Sequence, residues 1–335
     1  MDLQLPLIVA GLFIGIVVGM TGMGGGALMT PVLVLFFGVP PLAAVSSDLV
    51  VSAVMKPVGG FVHLRHGTVN LRLVGLLCLG SVPAAFAGVL VSRALGSGAG
   101  VQQWTKTALG VALLLAATGI IVRAYHDLSV RGRRAADRAA GRPVQRPVVD
   151  PNRRMPLRPV STVLVGAVGG LVVGMTSVGS GSLIIIALLA LYPLMSAASL
   201  VGTDLVQAVP LVTSAALGHL IFGDFRLELT AALLIGCLPG VYLGARLSSR
   251  APSGLVRRAL ALVLLASGLK LLELPDVAMV SVLGAVVAVG PLLWMWARSR
   301  HGLPPRTRII RKAFGRRGAG RSPLDQPVQD PVEAP

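Results

Sequence analysis

Apolar residues in this chain come in long, nearly unbroken runs, without the alternating faces of a soluble amphipathic helix. Runs close to the roughly 20 residues that carry an α-helix across a bilayer recur from the N-terminus to about Arg298. Residues 41–64, 69–92 and 103–125 each predict a spanning helix, and so do 197–221, 228–248, 255–272 and 277–297. Two pairs of shorter apolar arms precede these groups, 5–21 with 27–38 and 160–176 with 182–192. At about 1.5 Å per residue each arm falls short of the roughly 30 Å hydrocarbon core. Each pair is therefore expected to form a re-entrant, broken-helix hairpin.

Small and polar residues cluster at the junction inside each pair. The first junction reads Gly19-Met20-Thr21-Gly22-Met23-Gly24-Gly25-Gly26 and the second Gly174-Met175-Thr176-Ser177-Val178-Gly179-Ser180-Gly181-Ser182. A helix-interior Gly costs about 1 kcal/mol relative to Ala, so such a cluster marks a break. Irregular backbone at membrane depth is tolerated only where it faces protein or a wet cavity. The two breaks are expected to meet near the bilayer midplane and to form a substrate site.

The two groups are copies. Met20 and Thr21 recur 155 positions later as Met175 and Thr176. After a one-residue slip, Asp48 meets Asp204, His63 meets His219, Gly67 meets Gly223, Pro83 meets Pro239 and Gly88 meets Gly244. Such a register in small and polar residues points to internal duplication. The expected fold is an all-α polytopic membrane protein of two inverted-topology repeats. Each repeat is a broken helix pair followed by three spanning helices, and one extra C-terminal span has no counterpart. The segments are 1–125, the first repeat; 126–159, a basic linker; 160–272, the second repeat; 273–298, the additional helix; and 299–335, a basic tail expected to be disordered.

Composition agrees with a membrane protein: 54% of residues are hydrophobic and 13% charged, against about 25% charged in soluble domains. The first twenty residues contain no Lys or Arg, so no cleavable signal is expected. The net charge of +17 does not point to nucleic acid, because of where the charge lies. Nine of the thirty basic residues fall between Arg131 and Arg158 and nine more between Arg298 and Arg321, beside apolar spans. That is the pattern of cytoplasmic segments, with attraction to anionic lipid in addition. Arg65 and Arg72 put the 64–70 turn inside, and Arg250, Arg257 and Arg258 put the 249–256 turn inside. The 222–228 turn, with Asp224 and Glu228 against Arg226, falls outside. The halves then have opposite orientation, with the N-terminus outside and the linker and C-terminus cytoplasmic, as in many secondary transporters. Cys78 and Cys237 lie within apolar spans and have no metal-type spacing. Neither a metal nor a cofactor is expected.

Chemistry is concentrated in few residues. Backbone N–H groups at Gly22, Gly24, Gly25 and Gly26, and at Gly179 and Gly181, open at the start of a second arm, where a helix N-terminus favours anions. Thr21, Thr176, Ser177, Ser180 and Ser182 add hydroxyls. Close packing through small residues is the alternative use of such breaks. Asp48 and Asp204 are the only acids well inside spans, a costly placement that marks either proton carriers or structural caps. Lys56 is the only Lys in the middle of a span. It suits an anion or pairs with Asp48, and its copy position holds Val212, so any site it joins is asymmetric. His63 and His219 fall near span ends and are expected at the membrane interface. A serine-protease function from Ser180 with His219 is disfavoured, because the copy of Ser180 is Gly25.

With these residues in view, the chain resembles the sulfite exporter TauE/SafE family. The likeness rests on residues 19–26, Ser46-Ser47-Asp48-Leu49, Lys56, His63, the Gly67-Thr68-Val69-Asn70 turn, Gly202-Thr203-Asp204-Leu205 and Gly223-Asp224. It covers about residues 5–297. Asn70 stands where the family often has Asp. The resemblance implies a permease of the bacterial-type inner membrane for small anions, sulfite or organosulfur compounds, and no enzyme. It would place substrate at Thr21, Gly24–Gly26, Lys56, Thr176 and Gly179–Gly181, with Asp48 and Asp204 beside them. No ATP-binding P-loop is present, so an ion gradient is the expected drive, with Asp48 or Asp204 carrying the proton. A cation or metal transporter and a non-transporting membrane scaffold stand as alternatives. Oligomeric state is not legible.

Overall fold

A computed structural model describes residues 4–21, 25–94, 99–141, 156–193, 195, 197–222, 225–248 and 253–301. Gly22 and Gly24, the 142–155 part of the linker, Gly223-Asp224 and the tail beyond residue 301 lie outside the described residues. Eleven helices make up the described fold, and no strand occurs among the described residues. The first half contains α1 (Gln4–Thr21), α2 (Gly26–Phe36), α3 (Pro41–Arg65), α4 (Leu71–Ala94) and α5 (Ala99–Ala139). The second contains α6 (Pro159–Thr176), α7 (Leu183–Leu191), α8 (Ala197–Phe222), α9 (Leu227–Ser248) and α10 (Ser253–Leu271), followed by α11 (Asp276–Arg300).

Among the described residues, eight helices are long and apolar enough to cross a membrane, and α1 and α6 are among them. The sequence expectation is of four arms short of the roughly 30 Å core, and α1 and α6 come nearest to spanning it. Each of these two arms has 18 residues, or about 27 Å at the α-helical rise. Only α2 and α7, with 11 and 9 residues, are half-length. The broken pairs are thus one nearly full helix joined to one short helix. The apolar stretch of α10 is bracketed by Arg257, Arg258 and Lys270, and α10 is not among the eight.

The first arm of each half packs against the other half. α1 lies along α9 and α6 lies along α4, while α3 packs on α8 and α5 on α10. Glycines make the first two contacts close. Gly11 and Gly15 sit against the backbone of Leu233 and Cys237, while Gly236, Gly240 and Gly244 sit against Ile8, Leu12 and Ile16. Gly166, Gly170 and Gly174 meet Leu77, Ser81 and Ala85 in the same way. A Cβ at Gly15 would stand 3.0 Å from the Cys237 Cα, closer than helix backbones tolerate. In a bilayer there is little hydrophobic drive between helices, and small residues that admit close backbone contact supply the attraction. Residue numbers rise together along both pairs, so α1 runs parallel to α9 and α6 parallel to α4.

α5 departs from the sequence expectation. The span was expected to end at Tyr125 with a flexible linker beyond it, but the helix continues to Ala139. Residues 126–139 include four Arg and three Ala, both good helix formers. Leu128 is buried, and Asp127 pairs with Arg257 at 3.7 Å, tying this extension to the base of α10. Gly141 then takes a left-handed φ of 64° and its N–H donates to the Arg138 carbonyl, a common way to end a helix. α11 packs lightly on α10 and presents most of its apolar residues outward, as a lipid-facing span can.

Candidate functional site

The two breaks touch. Gly26, the first residue of α2, lies against the carbonyl and side chain of Ser177, which follows α6. A narrow cleft opens between them, lined by Gly26, Ala27, Ser177, Gly179–Ser182, and Ala116, Ile120 and Leu264 from α5 and α10. Its free space is about the size of a water molecule or two. Neither α2 nor α7 has a side-chain cap at its N-terminus. The N–H groups of Leu28 and Met29 donate to the Gly25 carbonyl and those of Leu183 and Ile184 to the Gly179 carbonyl, and both helices turn their positive dipole ends toward this region.

Lys56 reaches this region from α3. It is nearly buried, and its ammonium donates to the Ser180 hydroxyl of the second break. Asp48 and Asp204 both lie near enough for their charges to act on it. Three ionisable groups from two helices therefore cluster beside the breaks, all buried.

The two acids are held differently. Asp48 Oδ2 accepts from Thr30 Oγ1 at 2.7 Å and from Ser177 Oγ at 2.8 Å, and Oδ1 accepts a longer bond from Ser52 Oγ at 3.4 Å. Hydrogen bonds to a charged acceptor are worth about 1.5–3 kcal/mol each. Asp48 thus ties α2 and the second break to α3. Asp204 Oδ1, in contrast, has no hydrogen-bond partner. The difference is written in the sequence: the positions that copy Thr30, Ser52 and Ser177 in the other half are Ile185, Ala208 and Gly22.

Several expected site residues turn inward on the protein. Thr21 Oγ1 donates to the Val17 carbonyl at 2.8 Å, and its copy Thr176 donates to Val172 at 2.7 Å. Both hydroxyls bond back to the last turn of their own helices. The Ser177 hydroxyl is engaged by Asp48. Of the side chains expected to face substrate, Ser180 lines the cleft, and Lys56 reaches it through its bond to Ser180. Gly179 adopts φ 119°, a conformation open to Gly, and its carbonyl accepts from the N–H groups of Ser182 and Leu183.

The two histidines are held differently. His219 is buried inside the protein, with Nδ1 2.9 Å from Ser46 Oγ and Nε2 2.9 Å from the Gly174 carbonyl. It joins α8 to α3 and to the end of α6. A polar ring in an apolar bundle is stable only when both nitrogens find partners. His63 stays half-buried at the 64–70 turn, with Nδ1 3.0 Å from Thr68 Oγ1. Asn70 caps α4 by accepting from the Leu73 N–H at 3.2 Å, and its own N–H donates to Thr203 Oγ1. Asn performs this capping as well as Asp.

Thr30, Ser52, Gln207, Ser81 and Arg123 were not singled out from the sequence. Ser52 lies four residues after Asp48 on one helix face, and Gln207 three after Asp204, and that spacing was the available signal. Arg123 lies on α5, and its charge acts on Asp204. Among the described residues no group of three or more His, Cys, Asp or Glu could hold a metal ion.

A family model described as "Sulfite exporter TauE/SafE" matches residues 7–271. The chain is 38% identical over 275 residues to "Probable membrane transporter protein YjnA" of Bacillus subtilis (strain 168), covering 81% of this chain and 100% of that protein. It is 24% identical over 260 residues to "Probable membrane transporter protein YdhB" of the same strain, covering 77% of this chain and 96% of that protein. No solved structure matches.

Proposed function

The chain belongs to the sulfite exporter TauE/SafE family of membrane transporters, and from that membership we propose that it is a secondary permease for a small oxyanion, sulfite or an organosulfur anion. The observation that carries this reading is the meeting of two helix starts without side-chain caps at a cleft lined by Ser180, whose hydroxyl the buried Lys56 ammonium holds. Two positive dipole ends, a fixed cation and a hydroxyl donor are what a compact anion needs once it leaves water. A soft or hard metal ion would need a set of anionic or imidazole ligands, and among the described residues no group of three or more His, Cys, Asp or Glu could supply one.

Transport by alternating access fits the exchanged packing of the halves. The parallel pairs α1–α9 and α4–α6, taken with the Lys and Arg distribution in the turns, favour an inverted arrangement of the two repeats in a bacterial-type inner membrane. Each half then carries an arm of the other, and rocking one half against the other opens the cleft to one face at a time. The N-terminus lies outside, and the linker and tail lie in the cytoplasm against anionic lipid. In single-cysteine variants, Asp2→Cys should react with an impermeant thiol reagent from outside and Ala140→Cys only from inside. Labelling of both from the same face would overturn the inverted arrangement.

The function is tested with purified protein in proteoliposomes. Labelled sulfite should exchange against internal unlabelled sulfite well above the rate of protein-free vesicles. Movement of a divalent metal without sulfite would establish the cation alternative. No exchange of sulfite, sulfoacetate or metal would leave a scaffold.

A further inference from the structure

Among the described residues, the buried side-chain atoms without a hydrogen-bond partner are Ser47 Oγ, Asp204 Oδ1, Gln207 Oε1 and Trp294 Nε1. Two of them, Asp204 Oδ1 and Gln207 Oε1, belong to residues three apart on α8. Both residues are at most 1% exposed. Residues at that spacing are neighbours on one helix face, with Cβ atoms about 5–6 Å apart. Both atoms are acceptors, so neither can satisfy the other while the acid is ionised. A proton on Asp204 changes that, because the resulting O–H can donate to the Gln207 oxygen and satisfy both atoms. The other end of Gln207 is fixed: Nε2 donates to Ser81 Oγ on α4 at 2.7 Å.

We propose that Asp204 and Gln207 form the site of the coupling proton, a proposal that rests on the transport function above. The proton arrives from water at one membrane face and forms an O–H bond at Asp204 Oδ1. The carboxyl donates to Gln207 Oε1 while substrate occupies the cleft, and the O–H bond breaks when the site faces the other side. Charge balance gives the reason for coupling. With Asp48 and Asp204 ionised and Lys56 and Arg123 protonated, the four charges cancel, and an incoming anion adds one negative charge. The proton on Asp204 offsets it. The opposing charges that act on Asp204 are Lys56 from α3 and Arg123 from α5, and Asp48 also acts on Lys56. Of the other elements against α8, α6 and α7 carry no Asp, Glu, His, Cys, Lys or Arg. α4 brings Cys78, whose Sγ is 4.0 Å from the Gln207 carbonyl oxygen, with Arg72 and Arg93 toward its two ends, and His63 and Arg65 end α3. Asp48 is not a second such site, because its hydroxyl partners already satisfy it, and the copy of Gln207 is Val51.

The test pairs infrared titration of the reconstituted protein with flux measurements, for wild type, Asp204→Asn and Gln207→Leu. A protonated-carboxyl C=O band should appear in wild type as pH falls and be missing in Asp204→Asn. In Gln207→Leu the protonated acid loses its acceptor, so half-titration should move to lower pH by about one unit. Sulfite exchange should persist at reduced rate in Asp204→Asn while acceleration by a pH gradient disappears. A shift to higher pH in Gln207→Leu overturns the proposal, because it means the amide donates to a permanent carboxylate. A band retained in Asp204→Asn, or pH-driven flux kept at the wild-type level in that variant, or driven by Na⁺ in its place, also overturns it. If wild type exchanges no sulfite, the transport reading fails by itself, and the infrared titration still decides the proton site.

Discussion

Replacing Lys56 with Met is expected to weaken anion binding by on the order of a hundredfold to a thousandfold, the size of one lost unit-charge interaction at about 4 Å and an effective dielectric near 20. The ammonium is nearly buried beside the cleft, so water cannot take over its role. Its removal also leaves Asp48 and Asp204 without the cation they share. Two buried carboxylates that lose a shared cation tend to take up protons, which moves the pH dependence of transport as well as the affinity. Lys56→Arg keeps the charge but not the compact geometry toward Ser180, and should bind measurably while transporting slowly. Counterflow across a range of sulfite concentrations, alongside thermal stability of each variant, separates affinity from folding. A Met variant that is folded and binds sulfite like wild type would remove Lys56 from the site.

The contrast between Asp48 and Asp204 bears on how much of the site a sequence can show. Both acids stood out because charge deep in an apolar span is costly, and both lie among the residues around the cleft. Their difference was harder to see. It depends on Thr30 and Ser177, which are 18 and 129 residues from Asp48 along the chain and reach it only through the fold. Ser52 and Gln207 were nearer to legible, because spacing of three or four on a helix puts two side chains on one face. Thr21 and Thr176 misled for the opposite reason. A hydroxyl beside a Gly cluster looks like a ligand donor, but next to its own helix's carbonyls it has a closer acceptor.

The helices themselves were legible, since hydropathy runs set their existence and Gly clusters set the breaks. The partners of α1 and α6 were not. Nothing in either half alone says that its first arm belongs against the other half, although the glycines at 11, 15, 166 and 170 are the residues that make this possible. The end of α5 was missed because hydropathy stops at the membrane surface while helix propensity does not. Ala and Arg continue the helix in water, where an apolar run is no longer needed.

The neighbouring glycines of the first break should answer substitution in opposite ways. At Gly26 a Cβ would overlap the Ser177 carbonyl oxygen and stand 2.9 Å from Ser177 Oγ and 3.1 Å from its carbonyl carbon. Those atoms are backbone and a committed side chain, so they have little room to move. Displacing Ser177 also withdraws its hydroxyl from Asp48, and leaving a buried charged acceptor short of a donor costs about 1–3 kcal/mol or more. At Gly25 a Cβ would meet Asp48 Oδ1, Ser52 Oγ and Val18 at 3.9 Å, ordinary contact, and its φ of −56° suits any residue. Gly26→Ala is therefore expected to lower folded yield and midpoint temperature and to reduce sulfite exchange severely, and Gly26→Leu to abolish exchange. Gly25→Ala should fold and exchange near wild type, while Gly25→Leu, which must place a branched chain against Asp48 and Ser52, should fold poorly or lose exchange. Size-exclusion profiles in detergent, thermal melts and counterflow on the four variants read this out. If Gly26→Ala matches wild type in all three, the contact between the breaks is not what holds the site together, and the cap on Asp48 has to be sought in Thr30 and Ser52 alone.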